Sequence, residues 1–128
     1  MSEQTEQGIA AAHAFLDAFN AQDFEALAES LNYPHLRLAN GRFETIESRD
    51  AFLDRAPRVA GALEKEGWHH TVMTACEVVH EGADKVHLAL SYDRCHADGS
   101  VYNSFDTMWI ATLEAGHWGI QFRSSYLR

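Results

Sequence analysis

Val101-Tyr-Asn-Ser-Phe-Asp-Thr-Met-Trp-Ile-Ala-Thr-Leu113, then Glu114-Ala115-Gly116, then His117-Trp-Gly-Ile-Gln-Phe-Arg-Ser-Ser-Tyr126, is the stretch on which the fold turns. Aromatic and β-branched residues alternate with polar ones on both sides of a Gly-containing turn. That pattern predicts a long antiparallel hairpin. Asp106 lies inside the first arm, among Phe105, Met108, Trp109 and Ile110. A carboxylate in such a place is either on the wet face of the sheet or a buried group with a function. The arm offers two faces, Ser104-Asp106-Met108-Ile110 and Phe105-Thr107-Trp109-Ala111. Both carry apolar residues, so alternation alone places neither inward.

Upstream of the hairpin the same period of two continues. Trp68 to His80 alternates and ends in Glu81-Gly82-Ala83-Asp84. Val86, Leu88, Leu90 and Tyr92 then alternate with His87, Ala89, Ser91 and Asp93, and Ala97-Asp98-Gly99-Ser100 supplies the next turn. Before Gly67 the period is helical. Ile9, Ala12, Phe15, Leu16 and Phe19 recur at spacings of three and four from Gly8 onward, after residues 1–6, which the polar composition predicts to fray. Asn20 closes this helix, and Asp23 caps a second one carrying Phe24, Leu27, Ala28 and Leu31. Asn32-Tyr33-Pro34 breaks it. His35–Ala39 and Arg42–Ile46 read as short strands about an Asn40-Gly41 turn. Ser48 caps a third helix, which Pro57 is expected to kink or restart and Gly67 to end. Helices first and an antiparallel meander after is an α+β layout. A curved sheet wrapped on three helices encloses a cone, and its mouth is a natural small-molecule pocket.

The bulk numbers suit one domain, spanning 1–128. A formal charge of −9 disfavours nucleic acid and anionic membranes as partners. No apolar run has the length of a membrane span, and the acidic start Met-Ser-Glu-Gln-Thr-Glu is not a signal peptide, so a cytoplasmic protein is expected. Cys76 and Cys95 lack CxxC spacing and read as free thiols, although neighbouring strands would carry both. The histidines show no metal-ligand spacing. His69 and His70 are adjacent, so on a strand they point to opposite faces. Neither a metal nor a cofactor is expected.

Three pieces of the chain resemble the nuclear-transport-factor-2-like superfamily, in its SnoaL-like and ketosteroid-isomerase-like branch. They are residues 14–27 (Ala-Phe-Leu-Asp-Ala-Phe-Asn-Ala-Gln-Asp-Phe-Glu-Ala-Leu), residues 97–100 (Ala-Asp-Gly-Ser), and Gly116-His-Trp-Gly-Ile120 with Arg123-Ser-Ser125. The resemblance spans about Ile9 to Tyr126. It implies a cone-shaped α+β fold of N-terminal helices in a curved, mixed sheet, a cavity at its open end, and a homodimer through the outer sheet face. The family holds isomerases, dehydratases, hydrolases, cyclases and binders, so fold alone does not give the reaction. Against ketosteroid isomerase, Asp106 falls where that enzyme keeps a protonated aspartic acid. Phe15 falls where it has a tyrosine donor, and Ala39 or Asn40 falls near its base. Two of three parts are missing, so steroid isomerisation by that mechanism is not expected.

The expected site follows. Asp106, placed inward by the resemblance, is the acid or hydrogen-bond donor. His35 is the base, on the strand where the family carries its own. Period two sets Tyr33, His35 and Arg37 on one face. If that face is inward, Arg37 clamps a ligand oxygen; if Leu36 and Leu38 are inward instead, His35 and Arg37 point to water. Tyr92, Phe15 and Met108 complete the ligand contacts. Arg123 faces in or out according to the length of the 114–116 turn. Two functions remain: cofactor-free acid/base chemistry on a small apolar, oxygen-bearing ligand, or a non-catalytic binding or association module.

Overall fold

The computed structural model describes residues 2–127. Three helices, α1 (Glu3–Ala21), α2 (Phe24–Glu29) and α3 (Arg49–Glu66), pack on an open, curved six-stranded sheet. Its strands are β1 (Leu31–Ala39), β2 (Arg42–Ile46), β3 (His70–Glu81), β4 (Lys85–Cys95), β5 (Val101–Glu114) and β6 (His117–Ser125). Their order across the sheet is β2-β1-β6-β5-β4-β3, antiparallel except where β1 runs parallel to β6. The last hairpin therefore holds the centre, and everything else is added to its two edges.

The caps follow the sequence. Asp23 Oδ1 accepts from the Ala26 amide and Ser48 Oγ from the Ala51 amide, and Gly67 ends α3 in the left-handed region. Two expectations need correction. Residues 2–6 are not frayed: Ser2 caps α1, which begins at Glu3, because Thr5 is buried and its hydroxyl donates to Glu81 at 2.6 Å. Of the kink or restart expected at Pro57, the restart does not occur: α3 runs through it. The face bearing Phe52, Ala56 and Leu63 is buried, and that burial offsets the amide hydrogen bond that proline removes.

The inward faces of β4 and β5 are Val86, Leu88, Leu90 and Tyr92, and Phe105, Thr107, Trp109 and Ala111, all buried. They close on Phe15, Ala11, Ala12 and Ala18 of α1 to form the core. Asn20 pins the end of α1 to β3 with two hydrogen bonds, one to the Thr71 carbonyl and one from its amide, each 2.8 Å. Cys76 and Cys95 are free. Cys76 pairs with Leu90 and Cys95 with His70, so the thiols are far apart along the β3–β4 ladder. Among the described residues no helix is long and apolar enough to cross a membrane.

Candidate functional site

The hollow between α1, α3 and the sheet has two lobes. The first has an aromatic wall of Phe15, Tyr92, Phe105 and Trp109. The second is mixed aliphatic and aromatic and runs under α2 and α3, along Leu27, Phe52, Ala56, Val59 and Leu63. The volume open to the centre of a water molecule is about 50 Å³ in one and about 100 Å³ in the other. Phe15, Phe19, Arg37, Arg94 and Arg123 line both, so the arginines stand at the junction.

Arg123 is held from two sides. Its Nε–H donates to His35 Nε2 at 3.0 Å. Its guanidinium carbon lies 4.8 Å from the centre of the Phe15 ring, a cation–π contact. His35 is fully buried, and its Nδ1 is 2.9 Å from the Ile120 carbonyl oxygen. A carbonyl only accepts, so the proton sits on Nδ1 and the Nε2 lone pair takes the arginine. Burial first, then the charge of Arg123, pushes the His35 pKa down to about 3. The ring is neutral at physiological pH, and its one basic nitrogen is occupied. Burial first, then Arg37 and Arg55, pushes Arg123 down to about 9, which still leaves it charged at neutral pH.

The other cations are arranged around it. Glu44 lies between Arg37 and Arg55, at 3.5 and 3.3 Å. Arg94 lies 3.4 Å from Glu66 and 5.4 Å from the centre of the Phe105 ring. No Asp or Glu lines either lobe among the described residues. Tyr92 is 3% exposed, and its hydroxyl has no hydrogen-bond partner among the described residues. Burial raises its pKa, so it stays a donor.

The sequence-derived site residues divide. His35, Arg37, Tyr92 and Phe15 come together here, so the face with His35 and Arg37 is the inward one. Tyr33 does not join them: its hydroxyl donates to the Ala28 carbonyl at 2.8 Å and closes the turn from α2. Asp106 and Met108 lie on the outer face. Asp106 is exposed, pairs with Ser91 across the ladder and accepts from the Ser91 hydroxyl at 2.8 Å. The inward expectation for these two is corrected by the alternate set. Burying Phe105 and Trp109 removes far more apolar surface than burying Asp106 and Met108. His69 precedes β3 and escapes the strand alternation, so its Nδ1 comes within 2.9 Å of that of His70.

Two arginines were missed, Arg94 and Arg55, and the face of a third, Arg123, was left open. Arg94 was legible, since it continues the Val86-Leu88-Leu90-Tyr92 face by one more step of two. Arg55 follows Phe52 by three on α3, a spacing that shares a helix face. Arg123 was hidden. The turn is two residues, with Ala115 and Gly116 both at positive φ, which sets Ala111 opposite Ile120. A bulge at Gln121 then sets Trp109 opposite Arg123, so Ile120 and Arg123 both face inward despite their odd spacing.

Comparison with known proteins agrees with this architecture. No functionally curated protein matches the sequence. A ketosteroid isomerase-like protein from Erwinia carotovora atroseptica superposes with TM-score 0.74 at 20% identity, over 99% of this chain and 98% of that one. An NTF2-like protein with a cystatin-like fold from Novosphingobium aromaticivorans gives 0.75 at 19%, over 98% and 82%. A protein of unknown function from Nostoc punctiforme gives 0.79 at 8%, over 100% and 93%. At such identities the likeness is one of fold. The profile of the NTF2-like protein family DUF6841 matches residues 8–123, and the chain belongs to that family.

Proposed function

We propose that this is a SnoaL-like cavity protein that binds a small, largely apolar molecule bearing an oxygen function. The single observation that carries the reading is the Tyr92 hydroxyl, buried in an aromatic wall with no acceptor among the described residues. Leaving a buried donor unmade costs about 1–3 kcal/mol, and a ligand oxygen that displaces the side chains covering the hydroxyl recovers it. Phe15, Trp109 and Phe105 supply the apolar contact. A binding role is favoured over acid/base catalysis. Asp106 is on the far side of the sheet, and the His35 lone pair is engaged by Arg123.

Titration calorimetry on hits from a thermal-shift screen tests this. Tyr92→Phe should weaken the hits about tenfold while leaving the free protein as stable as before or slightly more so. Asp106→Ala should bind them unchanged. Hits that lose affinity in Asp106→Ala and keep it in Tyr92→Phe would place the ligand elsewhere and defeat the proposal.

The same reading includes a homodimer through the outer face. Leu38 and Phe43 are exposed there, and Met108, Ile110 and Phe122 half-buried. They form a continuous apolar band across β2, β1, β6 and β5.

A further inference from the structure

We infer that the ligand of this cavity is a carboxylate, an apolar acid whose head sits at the junction of the two lobes against Arg123 and whose body fills the aromatic lobe. The inference rests on the binding reading above and names the chemical class of what is bound.

Charge carries it. The chain is acidic, at −9, yet four of its ten Lys and Arg side chains line this one hollow: Arg37, Arg55, Arg94 and Arg123. Among the described residues only two carboxylates answer them, and both stand outside the lining. Glu44 is divided between Arg37 and Arg55, while Glu66 serves Arg94 and also accepts from the Tyr102 hydroxyl at 2.7 Å. Arg123 has no carboxylate partner among the described residues. Its only hydrogen-bond partner among them is a neutral imidazole, through Nε. Arg123 is only partly exposed, and a guanidinium so placed without a counter-ion is unfavourable. The walls fix it by His35 and Phe15 rather than letting it swing to solvent. Its outer N–H groups remain unassigned, and Tyr92 lies close enough for each group to affect the proton affinity of the other.

The donors on offer are the planar fork of Arg123 and the hydroxyl of Tyr92. A carboxylate brings two oxygens, one for the outer N–H groups of Arg123 and one for the Tyr92 hydroxyl. A doubly charged phosphate would have to shed more water to enter an aromatic lobe. An amine would meet four like charges. A neutral alcohol or ketone would satisfy Tyr92 and leave Arg123 as it was.

The test is calorimetry on the wild-type chain with matched probes: phenylacetate to phenylhexanoate, and octanoate, each against its alcohol and its amine. The acid should bind about tenfold to a hundredfold more tightly than its alcohol, and the amine not at all. Arg123→Gln should erase the preference for acid over alcohol, whereas Tyr92→Phe should weaken both. If alcohols bind as tightly as acids to the wild type, the carboxylate assignment fails and the cavity reading stands. If acids are preferred and Arg123→Gln keeps that preference, Arg123 is not the reader and the inference falls. If neither acids nor alcohols bind up to their solubility, the cavity reading fails and takes this inference with it. The wild-type comparison needs no variant to fold.

Discussion

A histidine on a short strand near the turn from a helix invites the role of general base. Here its surroundings give it another. His35 spends its Nδ1 proton on the Ile120 carbonyl and its Nε2 lone pair on Arg123. It acts as a positioning residue, aiming a guanidinium that has no other hydrogen-bond partner among the described residues. This has a consequence for pH. The folded-state pKa is pushed down to about 3, below the ordinary value of 6.5 that the unfolded chain keeps. Between those values the unfolded chain binds the extra proton and the native one does not. The His35 contribution is therefore fully present above about pH 6.5 and is lost as pH falls toward 3, with a slope of up to ~1.4 kcal/mol per pH unit. Denaturant melts of wild type and His35→Gln across pH 7 to 4 should show a shallower decline for the variant, and parallel curves would contradict the assignment. At this scale the sequence was partly legible. His35, Arg37, Tyr92 and Phe15 follow from alternation, helix spacing and resemblance. Asp106 does not, because two apolar faces compete on one strand and the larger rings win. Arg123 does not either, because a bulge changes strand parity without any signal in Gln121 itself.

Among the elements, the parallel seam of β1 with β6 shapes the hollow, and it depends on a glycine. A Cβ on Gly119 would stand 2.7 Å from the Leu31 carbonyl carbon and 2.8 Å from the Asn32 nitrogen. Those are backbone atoms and cannot rotate away. The Ile120 amide donates to the Ser30 carbonyl at 2.9 Å just beside them. Gly119→Ala should therefore destabilise the fold by about 1–3 kcal/mol, read as a lower Tm and denaturant midpoint. Ligand affinity should also fall, because Ile120 orients His35. An alanine variant as stable as wild type would mean that the seam is looser than drawn. The strands themselves were legible from the period of two, and the turns from Asn40-Gly41, Glu81-Gly82 and Ala115-Gly116. The parallel partnership was not, since β1 and β6 stand at opposite ends of the chain and alternation says nothing about neighbours. The start of α1 was misjudged for a related reason. A polar, acidic segment looks solvated until Glu81, distant in sequence, is seen to receive Thr5.

Over the whole molecule, the order of helices and strands was enough to indicate a cone of sheet around helices, and the family match agrees. The sheet then has two faces with different tasks. The inner one holds the aromatic and cationic hollow. The outer one carries Asp106 beside an apolar band. If that band is the dimer face, light scattering on the wild type should give twice the chain mass, and Ile110→Arg should give a monomer that still binds ligand. A monomeric wild type would remove the dimer from the account. Ligand chemistry is proposed to belong to the inner face, at Tyr92 and Arg123, and not to the carboxylate that the resemblance brought forward. The decisive experiment is heteronuclear NMR titration with phenylbutyrate. Shifts are expected at the Trp109 indole, the Phe15 ring and the Arg123 Nε–H, with Ser91 and Asp106 unmoved. Shifts centred on Ser91 and Asp106, with the cavity signals silent, would contradict it.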